Sequence, residues 1–141
     1  MERKQRISIY LAAGCLLLGS ALYVLFRPTT LLMFLWADVL GFTKLIVTIR
    51  TWVIGLDRYL PSWIIYSLPF ALWVLSYLFI IKGIWGNSSI LVHYAWFCCV
   101  PLIAIAAELA QKISIIPGNF DFLDLIAIMV GTIIGFFAID L

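Results

Sequence analysis

The stretch Glu108-Leu-Ala-Gln111-Lys112-Ile-Ser-Ile-Ile-Pro117-Gly118-Asn-Phe-Asp121-Phe-Leu-Asp124 sets carboxylates, an amide and a lysine between two long apolar runs. Glu108, Gln111 and Lys112 stand at i, i+3 and i+4, so on one helix Glu108 can meet either partner. Pro117-Gly118 interrupts that helix. Asn119 or Asp121 then suits the cap of a following helix, with Asp124 near its first turn, where the helix dipole favours negative charge. The stretch reads as the polar turn of a helical hairpin, and its surroundings decide the solvent.

Of the 141 residues, 65% are apolar and 11% charged, and the mean hydropathy is strongly positive. A water-soluble domain of this length cannot hide that much apolar surface in one core, so the solvent is largely lipid. A spanning helix consumes about 20 residues, which leaves room for one domain and a handful of helices. A net charge of +2, without a basic run interleaved with aromatics, speaks against nucleic acid as a partner. Cys15, Cys98 and Cys99 all fall in apolar runs without metal-ligand spacing; they read as small packing residues, with no cofactor and no metal site implied.

Four apolar runs are expected to span, at about 7–26, 63–81, 90–107 and 122–139. The first follows Arg3, Lys4 and Arg6, is too long for a signal-peptide core, and ends at Arg27-Pro28. Between the first two runs, Asp38, Gly41, Lys44, Thr48 and Thr51 recur at steps of three and four, which predicts an amphipathic helix over about 31–51. Lys44 would be costly at the centre of a span, so this segment is read as interfacial or re-entrant. Pro69 is expected to kink or be tolerated in the second span, and Lys82 to Ser89 to form a turn in which Asn-Ser-Ser caps the next helix. His93, one turn inside the third run, is read as a satisfied interfacial histidine rather than a proton relay. In the fourth, Asp124, Ile128, Gly131 and Gly135 share one face, and the glycines admit a close neighbour. The expected fold class is all-α: a polytopic four-transmembrane-helix bundle plus the amphipathic helix, in a single membrane domain. With four crossings and the basic N-terminus inside, both termini are cytoplasmic. Arg27, Arg50 and Arg58 then share the outer side with Glu108, Asp121 and Asp124, so that ion pairing is possible.

Glu108-x-x-Gln111, Pro117-Gly118, Phe120-Asp121-x-x-Asp124 and Gly131-x-x-x-Gly135, in that order, resemble the C-terminal motif of VanZ-like membrane proteins. The resemblance covers roughly the last quarter of the chain. It implies a multi-pass protein of the bacterial cytoplasmic membrane, tied to the cell envelope and to glycopeptide, particularly teicoplanin, resistance. It also marks Glu108, Gln111 and Asp124 as characteristic polar positions, with Asp121 a looser match. Where many members carry an arginine after the turn this chain has Asn119, and where they carry an asparagine it has Ile128. Arg50 or Arg58 is expected to replace the missing cation.

The resulting candidate ligand-binding set is Glu108, Gln111, Asp121, Asp124, Arg50 and Arg58, an outward-facing pocket for a membrane lipid or envelope-precursor headgroup. The competing reading is an accessory subunit or homo-oligomer, in which the carboxylates lock helices together and the glycine faces serve a membrane-protein partner. Catalysis by paired carboxylates ranks below both, because no nucleophile or metal motif accompanies them.

Overall fold

A computed structural model describes residues 3–85 and 90–138, and all regular structure in them is helical. The order is α1 (Arg3–Phe26), α2 (Leu32–Val39), α3 (Thr43–Thr51), a short turn of 3-10 helix (Leu56–Arg58), α4 (Ser62–Tyr66), α5 (Leu68–Trp85), α6 (Ile90–Lys112) and α7 (Phe122–Phe137). Three helices, Arg3–Phe26, Leu68–Trp85 and Leu91–Lys112, are long and apolar enough to cross a membrane. The fourth expected span, α7, is apolar but has 16 residues, about 24 Å of rise. The expected Asn-Ser-Ser cap and the chain end from Ile139 onward lie outside the described residues.

Two expectations are corrected. The single amphipathic helix over 31–51 is two helices, α2 and α3, bent by 118° at a short break. Gly41 sits there at φ +78°, a left-handed conformation that glycine adopts without a Cβ clash. Thr43 Oγ1 fastens the corner by donating to Asp38 Oδ1 at 2.7 Å. The Thr48 and Thr51 hydroxyls turn back onto the carbonyls of Lys44 and Thr48, so the Asp38, Thr48 and Thr51 side chains make local bonds rather than one continuous stripe.

The second correction concerns the helix expected over 63–81. It is divided at Ser67 into α4 and α5, and it continues past Ile81 to Trp85, so Lys82 and Gly83 are helical rather than part of a turn. Pro69 has no N–H to give to the preceding turn. Phe70 N–H bonds Ser67 O at 3.1 Å rather than continuing the ladder to Tyr66, which frees the Tyr66 carbonyl.

Helix α5 is the centre of the bundle, packed against α1, α7 and α6. Ser76 Oγ donates to Ala12 O of α1 at 2.8 Å. On the α7 side the buried face is Asp124, Ile128, Gly131 and Gly135, as the spacing predicts. A Cβ added at Gly131 would lie 2.7 Å from Ala71 O, and one at Gly135 would collide with Leu78. Val74, Leu78, Ile81, Phe97 and Ile128 complete the apolar core.

The packing sorts the helix ends into two groups. At one end Lys82 Nζ donates to Ala138 O after α7, and Gly83 lies against Ile9 of α1. At the other, the last turn of α1, the α4–α5 break, the end of α6 and the start of α7 converge.

Candidate functional site

The second of these ends collects both buried carboxylates of the described residues. Arg27 follows the last residue of α1. Its Nη2 donates at 2.8 Å to the Tyr66 carbonyl, the group freed by the Pro69 break. Its guanidinium lies among three rings, 5.3 Å from Tyr23, 4.9 Å from Tyr66 and 5.6 Å from Phe70, so cation–π contacts hold it in place. Glu108, on the last part of α6, retains only 6% of its surface, Asp124 in the first turn of α7 7%, and Ser67 at the break 3%. The Arg27 charge acts on both Glu108 and Asp124; Asp124 also has the Ser67 hydroxyl as a neighbour, and Glu108 faces the backbone N–H of Asp121.

These groups are close, yet they do not saturate one another. Among the described residues, five buried side-chain polar atoms have no hydrogen-bond partner: Arg27 Nε, Ser67 Oγ, Glu108 Oε2, Asp124 Oδ1 and His93 Nδ1. All but the last belong to this cluster. Burying a polar atom without a partner costs about 1–3 kcal/mol, so four of these five penalties fall in one cluster. His93 also departs from expectation: its Nδ1 is buried without a bond, and the ring stacks on Phe97 at 5.8 Å.

The remaining candidates divide by role. Asp121 caps α7, its Oδ1 accepting from Leu123 N–H at 2.8 Å, so one acceptor of this carboxylate is committed to structure. Gln111 props the turn: a Cβ at Gly118 would lie 2.7 Å from Gln111 Cδ, and Gly118 holds φ +141°. Lys112, Gln111's helical neighbour, covers the Phe120 ring at 5.3 Å.

Arg50 and Arg58 lie elsewhere. Arg50 Nε donates to Val24 O at 2.8 Å and its Nη2 to Arg27 O, which places a cation on the carbonyl end of α1. Its guanidinium stacks 4.8 Å from the Phe34 ring centroid. Together with Arg58 and Asp57 it lines a separate cavity of about 310 Å³ beside Leu25 and Phe26. Arg27, not Arg50 or Arg58, is therefore the cation at the carboxylates. The sequence signal for it is a charged residue directly after a long apolar run; for Ser67 it is the position two residues before Pro69.

A second feature borders the cluster. Trp63, Ser67, Ala71, Leu123, Ala127 and Val130 are among the residues that line an apolar groove of about 260 Å³ between the α4–α5 region and α7. Ser67 belongs to both groove and cluster. Among the described residues no group of three His, Cys, Asp or Glu side chains is placed to hold a metal ion. Comparison with models of known families, with characterised proteins and with solved structures finds no match to this chain.

Proposed function

We propose that the chain is a small multi-pass protein of a bacterial cytoplasmic membrane, VanZ-like in its C-terminal motif, that binds the polar headgroup of a membrane lipid or envelope precursor. The observation that carries this reading is the concentration of unpartnered buried atoms on Arg27, Ser67, Glu108 and Asp124. A set that served only to lock helices together would satisfy its own hydrogen bonds, because half-satisfied buried polar groups weaken a fold.

In this reading α1, α4–α5, α6 and α7 each cross the bilayer. The end bearing Arg3, Lys4, Arg6 and Lys82 faces the cytoplasm by the positive-inside rule, and the polar cluster faces outward. The bent α2–α3 pair is a re-entrant or interfacial element over that outer end. The accessory-subunit reading has less support, because the Gly131 and Gly135 face that would admit a partner helix is packed against Ala71 and Leu78 of α5.

The test is a total-lipid-extract binding assay on the purified wild type, Glu108→Gln and Asp124→Asn. The expected result is that the wild type retains a restricted set of headgroups and both variants lose that selectivity. An identical lipid profile for all three proteins would contradict the proposal.

A further inference from the structure

The cavity that Arg50, Asp57 and Arg58 line is a polar space separate from the Arg27 cluster. Its shape depends on Gly55, which takes φ +88° after α3. A Cβ there would meet nothing within 4 Å, so the glycine answers to backbone conformation and not to packing. The Leu56 N–H then bonds Val53 O at 3.1 Å and the Arg58 N–H bonds Gly55 O at 3.4 Å. This turn brings Asp57 and Arg58 to the same space that Arg50 lines from α3.

The two arginines are prepared differently. Arg50 is fixed, with Nε on Val24 O, Nη2 on Arg27 O and its guanidinium over the Phe34 ring. Neither bond uses its Nη1 N–H groups, and a side chain already held in place loses little further freedom when it binds an anion. Arg58 is exposed, and among the described residues no hydrogen bond or ion pair engages its guanidinium or the Asp57 carboxylate. The cavity therefore offers two guanidinium groups and one acceptor. Two positive charges against Asp57 leave one to be met, and the partly negative carbonyl end of α1 further disfavours a doubly charged ligand.

Position decides the solvent. The Val24 and Arg27 carbonyls that hold Arg50 point off the end of α1, and Leu25 and Phe26 line the cavity from that same end. Because α1 is long and apolar enough to cross a membrane, the space beyond its end faces water rather than acyl chains. A volume of about 310 Å³ stands at the lower limit of small-molecule sites, roughly 300–1,000 Å³. We infer that the cavity binds a small water-soluble hydroxy acid, its carboxylate held by Arg50 and Arg58 and its hydroxyl donating to Asp57. The two-oxygen edge of a carboxylate matches guanidinium, and its single charge matches the charge left over. None of the side chains of the headgroup reading takes part, so the two stand or fall separately.

The experiment titrates the full-length protein, in phosphatidylcholine nanodiscs at low ionic strength, with glycerate, followed by saturation-transfer NMR of the ligand. Propionate, the same chain length without hydroxyls, and inorganic phosphate, more highly charged, are run in parallel. Saturable binding of glycerate, tighter than that of propionate or phosphate, is expected. Arg58→Ala removes no contact of the fold and is expected to weaken glycerate about tenfold, the loss of one charge-assisted interaction. Asp57→Asn is expected to abolish the preference for glycerate over propionate, and Glu108→Gln with Asp124→Asn to leave glycerate binding unchanged.

Glycerate binding that is absent, or unchanged in Arg58→Ala, would overturn the site. Phosphate binding tighter than glycerate, or a preference that survives Asp57→Asn, would overturn the ligand class. Loss of glycerate binding when phosphatidylglycerol is added to the nanodiscs, with no loss on adding more phosphatidylcholine, would overturn the soluble source and reassign the cavity to a lipid headgroup.

Discussion

The two halves of α5 are built on opposite principles. Toward Trp85 the helix buries Val74, Leu78 and Ile81 against Phe97, Ile128 and the glycine face of α7, and its one buried hydroxyl, Ser76, has a partner on α1. Toward Ser67 the ladder is broken, a carbonyl is handed to Arg27, and two carboxylates and a hydroxyl are buried with atoms left over. The first half shows how this chain packs when nothing but cohesion is required. Measured against it, the second half buries its charged groups where four elements meet, and that contrast is the ground for proposing a site there.

The contrast is most strongly broken by Arg27→Ala. Removing one partner of a buried charge cluster leaves Glu108 and Asp124 uncompensated, and a loss of about 4 kcal/mol is expected in unfolding from detergent micelles. Adding Glu108→Gln to that variant is expected to restore part of the loss, since the two sites are coupled through one field. Additive losses would show that Arg27 stabilises the fold only through the Tyr66 carbonyl and its rings.

At the opposite half, Leu78→Ala is expected to cost about 3 kcal/mol, because the side chain is 1% exposed and its removal leaves a cavity against Gly135. Lipid selectivity in the extract assay is expected to persist in this variant wherever it remains folded. A change of headgroup preference would mean that the two halves are not separable. The smallest effect is expected from Asp121→Ala, about 1 kcal/mol for the lost cap on α7, again read by unfolding in micelles. An unchanged midpoint would remove Asp121 from the structural account.

Much of the bundle was legible in the residues. Apolar runs located the long helices, and the i, i+4, i+7 and i+11 relation of Asp124, Ile128, Gly131 and Gly135 announced the buried face of α7, because helical geometry alone fixes which residues share a side. Backbone breaks were less legible. Gly41 lies on the polar stripe at good helical spacing, and periodicity carries no information about a positive φ. The site was legible in part for a related reason. Glu108 and Asp124 are charges in an oily chain and stand out from composition, whereas Arg27 and Ser67 join them only through the Pro69 break and the crossing of α1 over α4. Those are tertiary events with no local signature. Arg50 was a reasonable cation for the site on charge alone; the free carbonyls at the end of α1 hold it instead.

The central claim is that Arg27, Ser67, Glu108 and Asp124 are a ligand site rather than a helix lock, and the thermal unfolding midpoint with and without added total lipid extract tests it most directly. A ligand that binds only the folded state raises the midpoint in proportion to its occupancy. The wild type is expected to gain stability on addition of the lipid. The double variant Glu108→Gln with Asp124→Asn is expected to show no response to the lipid, whatever its own midpoint. A double variant that still responds fully to the lipid would contradict the account and make the carboxylates structural.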